Sequence, residues 1–125
     1  MITEDYVSFE TAKLLKEKGF NEPCNAYWFH MIGTEPIFTD DMPRQIYNNK
    51  SDTIEIIGCS TLQIAMKWLR EVHNLFIMID CGVGAYIWSI ADISNGNVIL
   101  KVDAIVGSYE QTCEAAIKYC LEHLI

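Results

Sequence analysis

Two residue types in this chain could carry thiol or imidazole chemistry: the five cysteines, Cys24, Cys59, Cys81, Cys113 and Cys120, and, of the three histidines, His30 and His73. A thiol nucleophile needs an imidazole or a helix N-terminus to hold its thiolate. Cys59 stands just before an expected helix start at Ser60, and His30 or His73 could act as its base. No nucleophile signature surrounds Cys59, and a buried structural cysteine is the commoner outcome. Cys24, His30 and Asp40 or Asp41 are ligating types without a recognised ligand spacing, and a histidine inside an apolar strand is more often a core or interface residue. Asp80 and Asp92 could share acid and base work if they met across neighbouring strands, one of them with a raised pKa. Aspartate at a strand end, answered by a turn amide or by a lysine such as Lys101, is routine, and this spacing implies no glycosidase geometry. On these grounds no catalytic residue, metal ligand or cofactor site is assigned.

A second kind of chemistry is apolar recognition. Tyr27, Trp28, Phe29, Tyr86 and Trp88 could line a pocket or a partner-binding face, with His30 beside them, since tryptophan and tyrosine often anchor interfaces. The Ile64 and Trp68 edge of the central helix is the other candidate contact. In a small domain most such residues are simply core.

These residues must be positioned by a chain of 125 residues, which reads as one domain over 1–125 with a core of its own. An odd number of cysteines without a CxxC points away from a secreted disulfide framework and toward reduced thiols in a cytoplasm. The acidic start, Met1-Ile-Thr-Glu-Asp-Tyr6, and the lack of a long apolar run imply a soluble chain without a leader and without membrane contact. With 17 acidic against 9 basic residues the net charge is −8, which repels phosphate backbones and anionic lipid. Half of the residues are apolar, enough to suggest that some surface is buried between subunits.

The element that organises the rest is a helix over residues 60–73. Leu62, Ile64, Ala65, Met66, Trp68, Leu69 and Val72 fill an apolar arc of roughly 200° at helical spacing, so the helix is expected to be covered on two sides. Ser60 and Gln63 have the spacing of a capping box. An earlier helix runs over 8–19, with Ser8 as N-cap and Gly19 beyond its end. A strand is expected at 26–32. Residues 33–52 are irregular, with a short strand possible at Ile37-Phe38; they either pair weakly or form a mobile loop. A strand at 53–57 leads into the central helix, which His73-Asn74 can close. Three strands follow at 75–81, 85–93 and 98–104; the last should have one wet face, bearing Lys101 and Asp103. Glycine-rich Gly82-Val83-Gly84 makes the first link, and the Asn95-Gly96 pair favours a type I′ turn in the second. Ser108 and Gln111 form another capping box, opening a helix to Leu124 with Tyr109, Cys113, Ala116, Ile117, Cys120 and Leu124 inward. The expected fold class is α+β: a mostly antiparallel sheet with two or three helices packed on it in two layers.

Three blocks resemble a family of small uncharacterised proteins found in prophages and mobile elements of gut anaerobes. They are Ser8-Phe-Glu-Thr-Ala-Lys-Leu-Leu-Lys-Glu-Lys-Gly-Phe20 with Glu22-Pro-Cys24; Thr61-Leu-Gln with Ala65-Met-Lys-Trp-Leu-Arg-Glu-Val-His73; and Ser108-Tyr-Glu with Cys113-Glu-Ala-Ala-Ile-Lys-Tyr-Cys-Leu-Glu122. The resemblance covers essentially the three helices, implies a phage or mobile-element origin and brings no activity with it. The order helix, three strands, helix from Ser60 is also that of a double-stranded RNA-binding domain, which meets phosphates with lysines at the start of its last helix. Glu110, Gln111 and Glu114 stand there instead, and residues 60–125 carry 4 basic against 7 acidic side chains, so nucleic acid is not expected.

The leading expectation is a non-enzymatic accessory or protein-interaction protein that self-associates or takes a protein partner. Its contacts would come from the strand at 26–32, the segment 33–52 or the Ile64 and Trp68 edge. Two alternatives stand beside it: a small enzyme or ligand-binding module with a sheet-floored pocket, and an acidic nucleic-acid mimic that inhibits a DNA-binding protein.

Overall fold

A computed structural model describes residues 2–105 and 107–125, with the backbone alone for 101–105. The chain forms two compact units, passing from one to the other between Thr61 and Leu62. All strand pairs are antiparallel and the class is α+β, but the strands are shared between a four-stranded and a three-stranded sheet.

In the first unit, helix α1 (Phe9–Glu17) starts where Ser8 accepts a hydrogen bond from the Thr11 amide at 3.2 Å and stops ahead of Gly19, which adopts a left-handed φ of 100°. Thr11, Ala12 and Leu15 are its buried stripe. Four strands, β1 (Tyr27–Met31), β2 (Ile37–Thr39), β3 (Asn48–Lys50) and β4 (Ile54–Gly58), lie in the order β2-β1-β4-β3. The irregular segment therefore pairs: it supplies β2, β3, and a bridge from Gln45 to Cys24. Strand β3, Asn-Asn-Lys, lies in the stretch that reads as irregular because no apolar side chain marks it. It forms because backbone groups beside β4 take partners whatever the side chains are.

In the second unit, helix α2 (Leu62–His73) and helix α3 (Tyr109–Tyr119) flank a meander of β5 (Leu75–Gly82), β6 (Ala85–Asp92) and β7 (Val98–Ile105). Both helices contact β5, and α3 also contacts β6 and α2. Asn74 closes α2 in a left-handed conformation with φ 57°. The helix opens one residue later than a Ser60 cap would require, because Thr61 is held in a β-bridge to Tyr6. The Ser60 hydroxyl is buried without a hydrogen-bond partner, and the Gln63 side chain bonds Tyr109, so that capping box does not form. The one at Ser108 does: Ser108 Oγ accepts from the Gln111 amide at 3.1 Å, and Gln111 Oε1 accepts from the Ser108 amide at 2.9 Å.

Leu62, Ala65, Met66, Trp68 and Leu69 of α2 are buried, but Ile64 is 41% exposed and Val72 lies open as well. The covering elements thus miss the Ile64 edge of the arc, and Val72, near the middle of the arc, is open because it stands in the last turn of the helix. In α3, Thr112, Cys113, Ala116 and Ile117 are buried, followed by Cys120 and Leu121; Tyr109 is exposed, and Leu124 is half-buried in a wider π turn over Cys120–Leu124. The link from β6 to β7 is not type I′. Only Gly96 has positive φ there, and the Asp92 carboxylate accepts from the Ser94 amide at 2.9 Å and the Ser94 hydroxyl at 2.6 Å. The expected wet face of β7 falls on side chains outside the described residues. No helix among the described residues is long and apolar enough to cross a membrane.

Candidate interaction surface

Strand alternation sends neighbouring residues of β1 to opposite faces of the first sheet. Trp28 and His30 face α1: the Phe9 ring lies 6.1 Å from that of Trp28 and 5.1 Å from that of His30. Trp28 Nε1 donates to the Val7 carbonyl at 3.1 Å, and its ring continues through Phe38 at 5.2 Å to Tyr6, 5.0 Å from Phe38. His30 donates through Nε2 to the Thr34 carbonyl at 3.1 Å.

Tyr27, Phe29 and Met31 therefore project from the side away from α1. Register fixes what stands beside them: Phe29 between Ile37 and Ile56, Met31 opposite Ile54, and Tyr27 between Thr39 and Gly58, with Asn49 on the far side of Ile56. No strand residue on this face is charged; Glu55 and Lys50, a cross-strand pair, lie on the α1 side with Trp28 and Ile57. Tyr47 covers one end, its ring 5.0 Å from that of Tyr27. The other end is open, with Met31 43%, Ile37 58% and Ile54 36% exposed, and Phe29 and Ile56 half-buried.

Residues expected to act together are thus divided. Tyr27 and Phe29 lie on the uncovered face, Trp28 and His30 on the covered one. Tyr86 and Trp88 belong to the second sheet and pack under α3, against Tyr109 and Tyr119, each pair of rings 5.7 Å apart. Trp68 is 7% exposed and meets the His73 ring at 4.8 Å, whereas Ile64 is open to solvent. Met31 and Ile37 fall within the stretches 26–32 and 33–52 expected to make contacts, whereas Ile54 and Ile56 lie outside them. The signal was there in part, as Ile54 and Ile56 alternate with Glu55, but it did not say which strands lie beside them.

The thiol and carboxylate sites do not assemble. Cys59 is fully buried and its thiol donates to the Val7 carbonyl at 3.2 Å, a structural role. Cys24 donates to the Glu22 carbonyl at 3.4 Å, apart from the bond that His30 makes. It borders a cavity of about 20 Å³ with Lys16, Phe20, Tyr47 and Ile57, room for a single water. Burial pushes the Cys24 thiol up, and the Cys120 thiol up to about 12, the opposite of what a nucleophile needs. Asp80 pairs with Ile87 and Asp92 with Leu75, so the two carboxylates stand at opposite ends of the β5–β6 ladder, about 17 Å apart along the strands and on opposite faces. Among the described residues no three His, Cys, Asp or Glu side chains group to hold a metal ion. Comparison with family models, with curated proteins and with solved structures gave no match.

Proposed function

We propose that this chain is a non-enzymatic interaction protein of phage or mobile-element origin, working in a cytoplasm through the uncovered face of its four-stranded sheet. The observation that carries the reading is the row of Phe29, Met31, Ile37, Ile54 and Ile56 with no charge among them in a chain of net charge −8. Contiguous apolar surface of that kind costs solubility unless a partner covers it. The suspected origin rests on the three helical blocks described above, and the cytoplasm on five thiols that form no disulfide.

Oxidative footprinting tests the reading. Met31 should be oxidised by peroxide more slowly in cells holding the protein at native abundance than in dilute purified protein. Equal rates in the two settings would remove it.

A further inference from the structure

Building on the interaction reading, we infer that the occupant of the uncovered face is a second copy of this chain, stacked sheet on sheet about a two-fold axis. Charge is the first reason. Each copy carries −8, so surfaces of two copies generally repel, and like charges facing each other cost several kcal/mol. The face of Phe29 and Ile56 can meet itself without that cost, because Glu55 and Lys50 project from the other side of the same strands.

A partner recruited by this protein's charge would be basic, and such a partner would need carboxylates on the contact. The strands of this face offer none. Composition points the same way, since homodimer interfaces are more apolar than those of partners that come and go. The geometry also suits: a two-fold contact brings the same patch from both copies together, and sheets stack face to face about 10 Å apart with interdigitating side chains. Phe29, flanked in register by Ile37 and Ile56, takes the centre; Met31 and Ile54 take the open end.

The state of assembly then responds to salt in a definite direction. Attraction is apolar and repulsion is electrostatic, so screening must tighten the dimer; a charge-driven partnership would loosen.

Sedimentation equilibrium of the full chain tests this, with protein up to several hundred micromolar and salt raised from about 50 to about 500 mM, a range that shortens the screening length about threefold. The expected mass is twice 14.3 kDa, with dissociation weakened at the higher salt. Ile37→Glu should weaken dimerisation by ~100-fold, and an equimolar mixture of Ile37→Glu with Ile37→Lys should recover dimer, which a misfolded variant could not do. A monomer throughout, a dimer untouched by Ile37→Glu, a mixture that stays monomeric or a dimer loosened by salt would each overturn the inference. A purified monomer whose Met31 is nevertheless protected in cells would leave the interaction reading standing and assign the face to a different protein.

Discussion

Each sheet has one side under helices and one side without them, and the two uncovered sides are not alike. In the second sheet that side carries Phe76, Met78 and Asp80 on β5 with Ile87, Ser89 and Ala91 on β6, so the exposed Asp80 carboxylate interrupts the row. In the first sheet no carboxylate or ammonium interrupts it, and the charged residues of β3 and β4 lie on the α1 side. One charge in a strand is enough to keep a face wet, because a buried charge without a partner costs far more than the neighbouring apolar contacts return. The proposed contact rests on that difference, an uncharged strand face in the first sheet against one that carries Asp80 in the second.

The sharpest way to break the comparison is to hollow each covered side. Ile57→Ala under α1 and Ile90→Ala in the second sheet remove fully buried methyls and should each cost ~2–5 kcal/mol in urea unfolding. In protein dilute enough to be monomeric, Ile37→Ala should stay within ~0.5 kcal/mol of the parent. A cost equal to that of Ile57→Ala would mean that the face is covered within one chain.

Next in size are charges placed on the two uncovered sides. Ile37→Glu should weaken assembly by ~2.7 kcal/mol, the equivalent of a 100-fold change, whereas Phe76→Glu should leave sedimentation unchanged. Equal losses from both would abolish the distinction between the faces.

The two serine caps extend the contrast to single hydrogen bonds. Ser108→Ala removes a box that is fully made and should cost ~1 kcal/mol. Ser60→Ala removes a buried hydroxyl without a hydrogen-bond partner and should be neutral or stabilising, as thermal melts can show.

The smallest effect is expected at Asp92. Its carboxyl lies below the ordinary range because the Ser94 hydroxyl and amide both donate to it. A carboxylate held low in the folded state stabilises that state above its unfolded value of about 3.9, and the contribution fades as pH falls through the lowered folded value. An NMR titration should show Asp92 titrating below the ordinary aspartate value of about 3.9, and Asp92→Asn should flatten the acid limb of stability slightly. Titration of Asp92 at or above that ordinary value would remove the effect.

What could be read from the residues follows the range of the interactions concerned. The Ser108 box was legible because both of its partners lie within three residues and nothing competes. Ser60 has the same spacing, but a bridge between Tyr6 and Thr61, formed by residues 55 apart in the chain, decides where that helix begins. Periodicity marked β5, β6 and β7 to within a residue or so of their ends, yet it carries no information on which strands pair, so two sheets were read as one. The candidate aromatic set is divided between faces for the same reason. Tyr27, Trp28 and Phe29 are adjacent in sequence and alternate in space, and the residues that stand beside Phe29 come from strands 8 and 27 positions downstream.

The packing of Trp28 between Phe9 and Phe38 has an optical consequence. It is the sole indole before Thr61, whereas Trp68 and Trp88 both follow it. Subtracting the emission of a Trp28→Phe chain isolates the signal of one unit, and the remainder reports the other. Heating the protein under that pair of signals would reveal whether its halves lose their order in a single step or in succession.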